Sequence, residues 1–196
     1  MAKTNIITKE TVGFSFIVLA YRDYIAARFL LKNGFTLQGL TLASSAVEKY
    51  LKVLLILNGK SKNEINVHLN RLPQLQRALA SCYYDITQKI DLRFLTILGK
   101  VYGIRYYDDV KAPVSFGFFI NQFIGELDYV VHLMETVVIT GIKNARGENM
   151  QTPYRRDLVE RKTELYDGNY TLLGISKKNI WNRKIQASRF TLLPIR

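Results

Sequence analysis

The sequence predicts a mainly α protein, an antiparallel four- to five-helix bundle over residues 1–145 followed by a small basic C-terminal extension over residues 146–196. Three observations predict it. Apolar side chains recur every three or four residues through several long segments, which is the period of a buried helix face. Asn-Gly pairs stop the first two segments, and the turn between them is too short for anything but antiparallel neighbours. Hydrophobic residues make up 48% of the chain and charged ones 22%, a composition that folds as a globule.

The first helix is expected over Phe14–Lys32, with Phe16, Leu19, Ala20, Ala27, Leu30 and Leu31 in phase and Asn33-Gly34 as its stop. The second runs over Leu37–Leu57, with Leu40, Ala43, Val47, Leu51, Leu54 and Leu55 on one face and Asn58-Gly59 at its end. After a polar loop, Leu72–Ala80 reads as a short helix with Pro73 in its first turn. Asp85 reads as the cap of a fourth helix through Ile104, its face built from Ile86, Ile90, Phe94, Ile97 and Val101. Ser115 opens a long fifth helix through Val138, whose stripe of Phe116, Phe119, Phe123, Leu127, Val130, Val131 and Met134 reads as core.

The character changes after Gly141. Residues 143–152 read as a linker and Pro153 starts a short helix through Lys162. Asp167-Gly168, between Leu165-Tyr166 and Tyr170–Leu173, reads as a tight β-hairpin turn. Asn179–Ile185 and Arg189–Ile195 are strand-like and would complete a small sheet backed by the bundle.

The formal charge is +12, from 28 Lys and Arg against 16 Asp and Glu. That surplus makes a polyanion, RNA or a nucleotide, the first partner to consider, with a plainly basic surface as the alternative. Residues 1–150 hold 18 basic and 12 acidic side chains and residues 151–196 hold 10 and 4, so the extension is the more densely positive part. There Arg155, Arg156, Lys177 and Lys178 alternate with Tyr154, Tyr166, Tyr170 and Trp181, the mixture that grips phosphates and stacks bases. A basic cap whose aromatics pack on the bundle is the plain alternative.

Cys82 is the single cysteine, which rules out an intrachain disulfide and a thiolate metal cluster and points to a reducing compartment. No secretory leader is evident, and every apolar run falls short of the ~20 residues a bilayer requires, so the expectation is a cytoplasmic protein with no membrane partner. No phosphate-loop, serine-elbow or paired-histidine motif is present. With His68 and His132 the only histidines, neither a metal nor a cofactor is expected. His132, between Val131 and Leu133, reads as a packing histidine, and His68 as a capping or loop residue.

The second helix carries Ser44, Ser45, Glu48, Lys49 and Lys52 on its polar side, with Glu48 and Lys52 spaced as an i,i+4 ion pair. Ordinarily that is a solvated face. The run from Gly39 to Leu55, alanine-rich, then Glu48-Lys49, then Lys52 and a leucine-rich end, resembles the second helix of HEPN domains. The preceding Leu30–Gly34 turn, His68 after the following loop and Arg105-Tyr106-Tyr107-Asp108 line up in the same order, so the resemblance spans residues 15–140.

The resemblance implies a helical bundle that dimerises and binds RNA or a nucleotide in a cleft between subunits, through Glu48, Lys49, Lys52, Arg105 and Tyr106. Many members cut RNA with an Arg followed, after four to six residues, by a His. The Arg steadies the pentavalent phosphate and the His moves the 2′-hydroxyl proton. From Arg105 those positions are Val110, Lys111 and Ala112, and none is His. The expectation is therefore a homodimeric RNA- or nucleotide-binding module without the usual ribonuclease activity, part of a defence or toxin–antitoxin system with a partner such as a nucleotidyltransferase. Two alternatives stand beside it. One is a ribonuclease with a rearranged site built from Arg105 and His68, and the other is a protein–protein interaction subunit. Arg105 also has a plain reading, as a helix-end cation paired with Asp108 or Asp109.

Overall fold

The computed structural model describes residues 9–60, 65, 79–80, 88–104, 114–138, 143, 147–175 and 187–192. Within them the elements run α1 (Lys9–Lys32), α2 (Thr36–Leu57), α3 (Leu92–Ile104), β1 (Val114–Phe119), α4 (Ile120–Leu133), a π-helical turn (Met134–Val138), α5 (Pro153–Val159), α6 (Thr163–Tyr166) and β2 (Ala187–Leu192). The fold is mainly helical, as the apolar periodicity predicts. No helix among the described residues is long and apolar enough to cross a membrane.

α1 and α2 end alike, for the reason their Asn-Gly pairs suggest. Gly34 and Gly59 take positive φ values of 82° and 69°, a conformation open to glycine because it has no Cβ. The chain then folds back so that Phe35 N–H donates to the Leu30 carbonyl and Lys60 N–H to the Leu55 carbonyl, which satisfies carbonyls the helix leaves unpaired. Asn33 and Asn58 add side-chain bonds to the Phe29 and Leu54 carbonyls, at 2.8 and 2.9 Å.

The two helices pack antiparallel. Lys49 near the middle of α2 pairs with Asp23 near the middle of α1, while Gly39 at the start of α2 lies against Leu31 at the end of α1. A Cβ on Gly39 would fall 2.6 Å from Leu31 Cγ and 3.0 Å from its backbone nitrogen. Only a residue without a side chain permits that crossing.

α3 and α4 close the bundle over the α1–α2 pair. Leu40, Val47, Leu51, Leu54, Phe94, Leu98, Phe123, Leu127 and Val131 belong to one buried cluster, and the Phe94 and Phe123 rings meet at 4.9 Å. Ser44 donates across the interface to the Leu98 carbonyl at 3.1 Å. The fourth helix expected through Ile104 is interrupted. Residues 88–89 are helical, Ile90 bends, and α3 begins only at Leu92. The cap is Asp91, whose Oδ1 accepts Phe94 N–H at 2.9 Å while its own N–H donates to Glu126 at 3.0 Å. The carboxylate offers the chain a helix start that apolar spacing does not register. Asp85, and the expected third helix except for residues 79–80, lie outside the described residues.

The segment from Ser115 is also corrected. Residues 114–119 form a strand and the helix opens at Ile120. β1 pairs antiparallel with β2, Val114 opposite Leu192 and Phe119 opposite Ala187. A Phe- and Val-rich run suits either state, and a distant partner decides it. The strand expected at Arg189–Ile195 thus exists as β2, but its mate is β1. The companion strand at Asn179–Ile185 lies outside the described residues.

No hairpin forms at Asp167-Gly168. Thr152 caps α5 through a bond from Arg155 N–H, α6 follows, and helical turns continue over 170–174. Asn169 Oδ1 accepts Leu172 N–H at 3.1 Å, and Gly174, at φ 69°, closes the turn. An Asp-Gly pair specifies a turn, and here helical turns flank it where strands were expected. Tyr154 and Leu165 are fully buried in the same cluster as the bundle core.

Candidate functional site

Four of the expected ligand-binding side chains, Glu48, Lys49, Lys52 and Arg155, are engaged within the protein. Glu48 and Lys52, read as a solvated pair, are each only 8% exposed, with Lys52 Nζ 2.9 Å from Glu48 Oε1. Lys49 reaches back to Asp23 on α1 and to Ser45 Oγ at 2.8 Å. Of the two candidate arginines Arg155 and Arg156, Arg155 donates to the Glu135 carbonyl at 2.7 Å. Arg156 is exposed and pairs with Asp157 at 3.1 Å. His68, Arg105, Tyr106, Lys177 and Lys178 lie outside the described residues.

A buried polar cluster joins the extension to the bundle. Arg28, 2% exposed, donates to the carbonyls of Glu164 at 2.5 Å, Leu165 at 3.2 Å and Asp167 at 2.8 Å. Its counterion is Asp128 on α4. The Nε lies 2.8 Å from Oδ1 but off the hydrogen-bonding axis, so that contact is ionic and Nε itself makes no hydrogen bond. Nη2 donates to Oδ2 at 3.3 Å, and Tyr24 donates to Oδ1 at 2.8 Å. Asn169 then donates to Tyr24 Oη at 3.2 Å and to the Leu165 carbonyl at 3.1 Å.

Glu135, on the π-helical turn, is the second centre. It accepts from Tyr50 on α2 at 2.8 Å and from Thr152 at 2.7 Å. His132 Nδ1 lies 2.7 Å from Tyr154 Oη, and Tyr21 donates to Asp157 at 2.9 Å. Removal from water dominates the electrostatics. Burial raises Asp128 to about 6 against the pull of Arg28, and it raises Glu135 against its hydrogen bonds from Thr152 and Tyr50. It lowers His132, favouring the neutral ring. Tyr24 and Tyr50 are pushed well up, by burial first and then by their carboxylate partners.

Sequence reasoning did not single out Arg28, Glu135, Asp128 or Asn169 as a group. A signal exists, because Asp128, His132 and Glu135 interrupt an otherwise apolar helix, and a charge in the core phase of a helix must be paired. The partners of Asp128, though, come from residues about a hundred positions away.

Alongside this cluster an open groove of about 1450 Å³ runs between α1 and the α5–α6 segment. Tyr21, Arg28, Thr152 and Asp157 line it together with the apolar Phe14, Val18, Ile25 and Phe29. Arg22, Lys32, Arg156 and Lys162 supply exposed cations, and Asp157, Glu164 and Asp167 supply carboxylates. Such a lining holds a ligand rather than making bonds. The Tyr21 hydroxyl is committed to Asp157, and burial followed by that carboxylate pushes its pKa up, away from the phenolate a nucleophile requires. No group of three or more His, Cys, Asp or Glu among the described residues could hold a metal ion. No protein-family model matches the chain, nor does any curated protein or solved structure.

Proposed function

We propose that the chain is a HEPN-like module that binds RNA or a nucleotide, lacks the family's usual ribonuclease pair, and acts as a homodimer in a defence or toxin–antitoxin system. The observation that carries the reading is the Gly39–Leu55 pattern on a helix of a mainly helical bundle, followed by Arg105-Tyr106 with no His at the nuclease spacing. The +12 charge supports it, since phosphate neutralisation supplies most of the affinity of such modules.

Because Lys49, Lys52 and Arg155 already have partners inside the protein, phosphate contacts fall to Arg105, Lys177, Lys178 and the exposed Arg156, with Tyr106 as a stacking face. The test is titration of a labelled single-stranded RNA at low salt, with cleavage followed on the same samples. The expected result is saturable binding of RNA that stays intact, weakened about tenfold by Arg105→Ala. Metal-free cleavage lost in Arg105→Ala would instead assign a ribonuclease with a rearranged site, and no binding at low salt would remove the reading altogether.

A further inference from the structure

The groove beside α1 has a chemistry that RNA does not explain. Phe14, Val18, Ile25 and Phe29 line it at spacings of four, seven and four residues, which sets them in one line along the helix. Phe29 is 64% exposed. From Phe14 to Asn33 the lining covers about five turns, roughly 28 Å of helix at 1.5 Å per residue. Bases stack on free aromatic faces, and this line offers aliphatic Val18 and Ile25 between its two phenylalanines. The Tyr21 ring is already set edge-on against Tyr154 at 5.9 Å. A straight row of aliphatic and aromatic side chains at helical spacing is the complement of another helix.

The charge around the row selects the partner. Arg22 is exposed in the middle of it and makes no ion pair among the described residues. Arg156 and Lys162 are exposed beside it, Arg156 paired with the half-buried Asp157 and Lys162 with the exposed Glu160. An exposed pair such as Lys162–Glu160 contributes little, which leaves its cation open to a partner's carboxylate. Two of the groove's own acids are taken, Asp157 by Tyr21 and Arg156 and Asp167 by Lys32.

We propose that this groove receives an acidic amphipathic helix from a partner polypeptide, its apolar side on the Phe14–Phe29 row and its flanking carboxylates against Arg22, Arg156 and Lys162. Apart from Arg156, which both readings use, the site is distinct from the RNA-binding one and stands without it.

The probe is a fluorescein-labelled synthetic helix of about 20 residues, long enough to span the groove, with Leu along one face and Glu on both flanks. Two controls accompany it, the same peptide with Lys for Glu and a scramble of equal composition without the stripe. Anisotropy titration of the full chain is expected to show saturable binding of the Glu peptide, with both controls at least about tenfold weaker. Phe29→Asp is expected to weaken binding by roughly tenfold or more, as loss of a central anchor does, and Arg22→Glu by severalfold. Both side chains are exposed, so neither change disturbs the core, and single-stranded RNA binding is expected to survive Phe29→Asp. Absence of saturable binding, equal binding of all three peptides, or indifference to Phe29→Asp overturns the proposal. RNA that displaces the peptide and loses affinity in Phe29→Asp overturns it too, by giving the groove to RNA.

Discussion

At Asp128 two opposing effects meet. The Arg28 guanidinium favours the charged carboxylate, yet removal from water raises its pKa from the ordinary 3.8 to about 6. Arg28, Tyr24 and Lys32 are the groups that face it. A folded-state value above the unfolded one means the native protein holds its proton longer, so the stability this group contributes is full below about pH 4 and is lost as pH rises through about 6. The expected outcome is that the difference in unfolding free energy between wild type and Asp128→Asn moves against wild type by on the order of 2 kcal/mol between pH 4 and pH 7. Urea unfolding at the two pH values measures it, and a difference that stays flat or moves the other way contradicts the assignment. Glu135 has the same direction from burial. Each carboxylate is legible in sequence as a charge inside an apolar helix that must be paired, but its partner is not.

Elements were readable where their signals are local. The Asn-Gly stops of α1 and α2 are local, because one positive-φ residue and two backbone bonds complete them. β1 was not, since Val114–Phe119 is a strand only when Ala187–Leu192 lies beside it. The same limit hid the fate of Glu48 and Lys52. Their spacing announces an ion pair, but their burial depends on what packs over that face of α2. At Gly39 the α2 backbone lies close against the Leu31 backbone of α1. Gly39→Ala is expected to cost about 1–3 kcal/mol, because the new Cβ meets Leu31 backbone as well as side chain and one helix must move. Chemical denaturation checks it, and an unchanged or raised midpoint contradicts this account of the crossing.

In the whole molecule, the extension completes the buried chemistry of the bundle. Arg28 finds its acceptors at Glu164, Leu165 and Asp167, and Glu135 takes a donor from Thr152. A chain ended after residue 150 would leave Arg28 with Asp128 alone and Glu135 without its Thr152 donor, and would uncover the core that Tyr154 and Leu165 pack against. It is expected to lose its cooperative thermal transition or to melt far below the full chain. A truncated chain that melts as sharply and as high would make the extension an independent appendage. Composition alone had already marked this segment as densely basic, but not that Arg155 would turn its charge inward to the Glu135 carbonyl while Arg156 stays outside.

The measurement that bears most directly on the proposed function is the salt dependence of single-stranded RNA binding. With Arg105, Arg156, Lys177 and Lys178 on phosphates, log K is expected to fall linearly with log salt, by about 0.7 per phosphate contact, for a slope near −3. Replacing Arg156 by Ala should make that slope shallower by about one contact. A binding constant that does not change with salt, or RNA that does not bind even at the lowest salt, contradicts a basic HEPN-like module that works by gripping a polyanion.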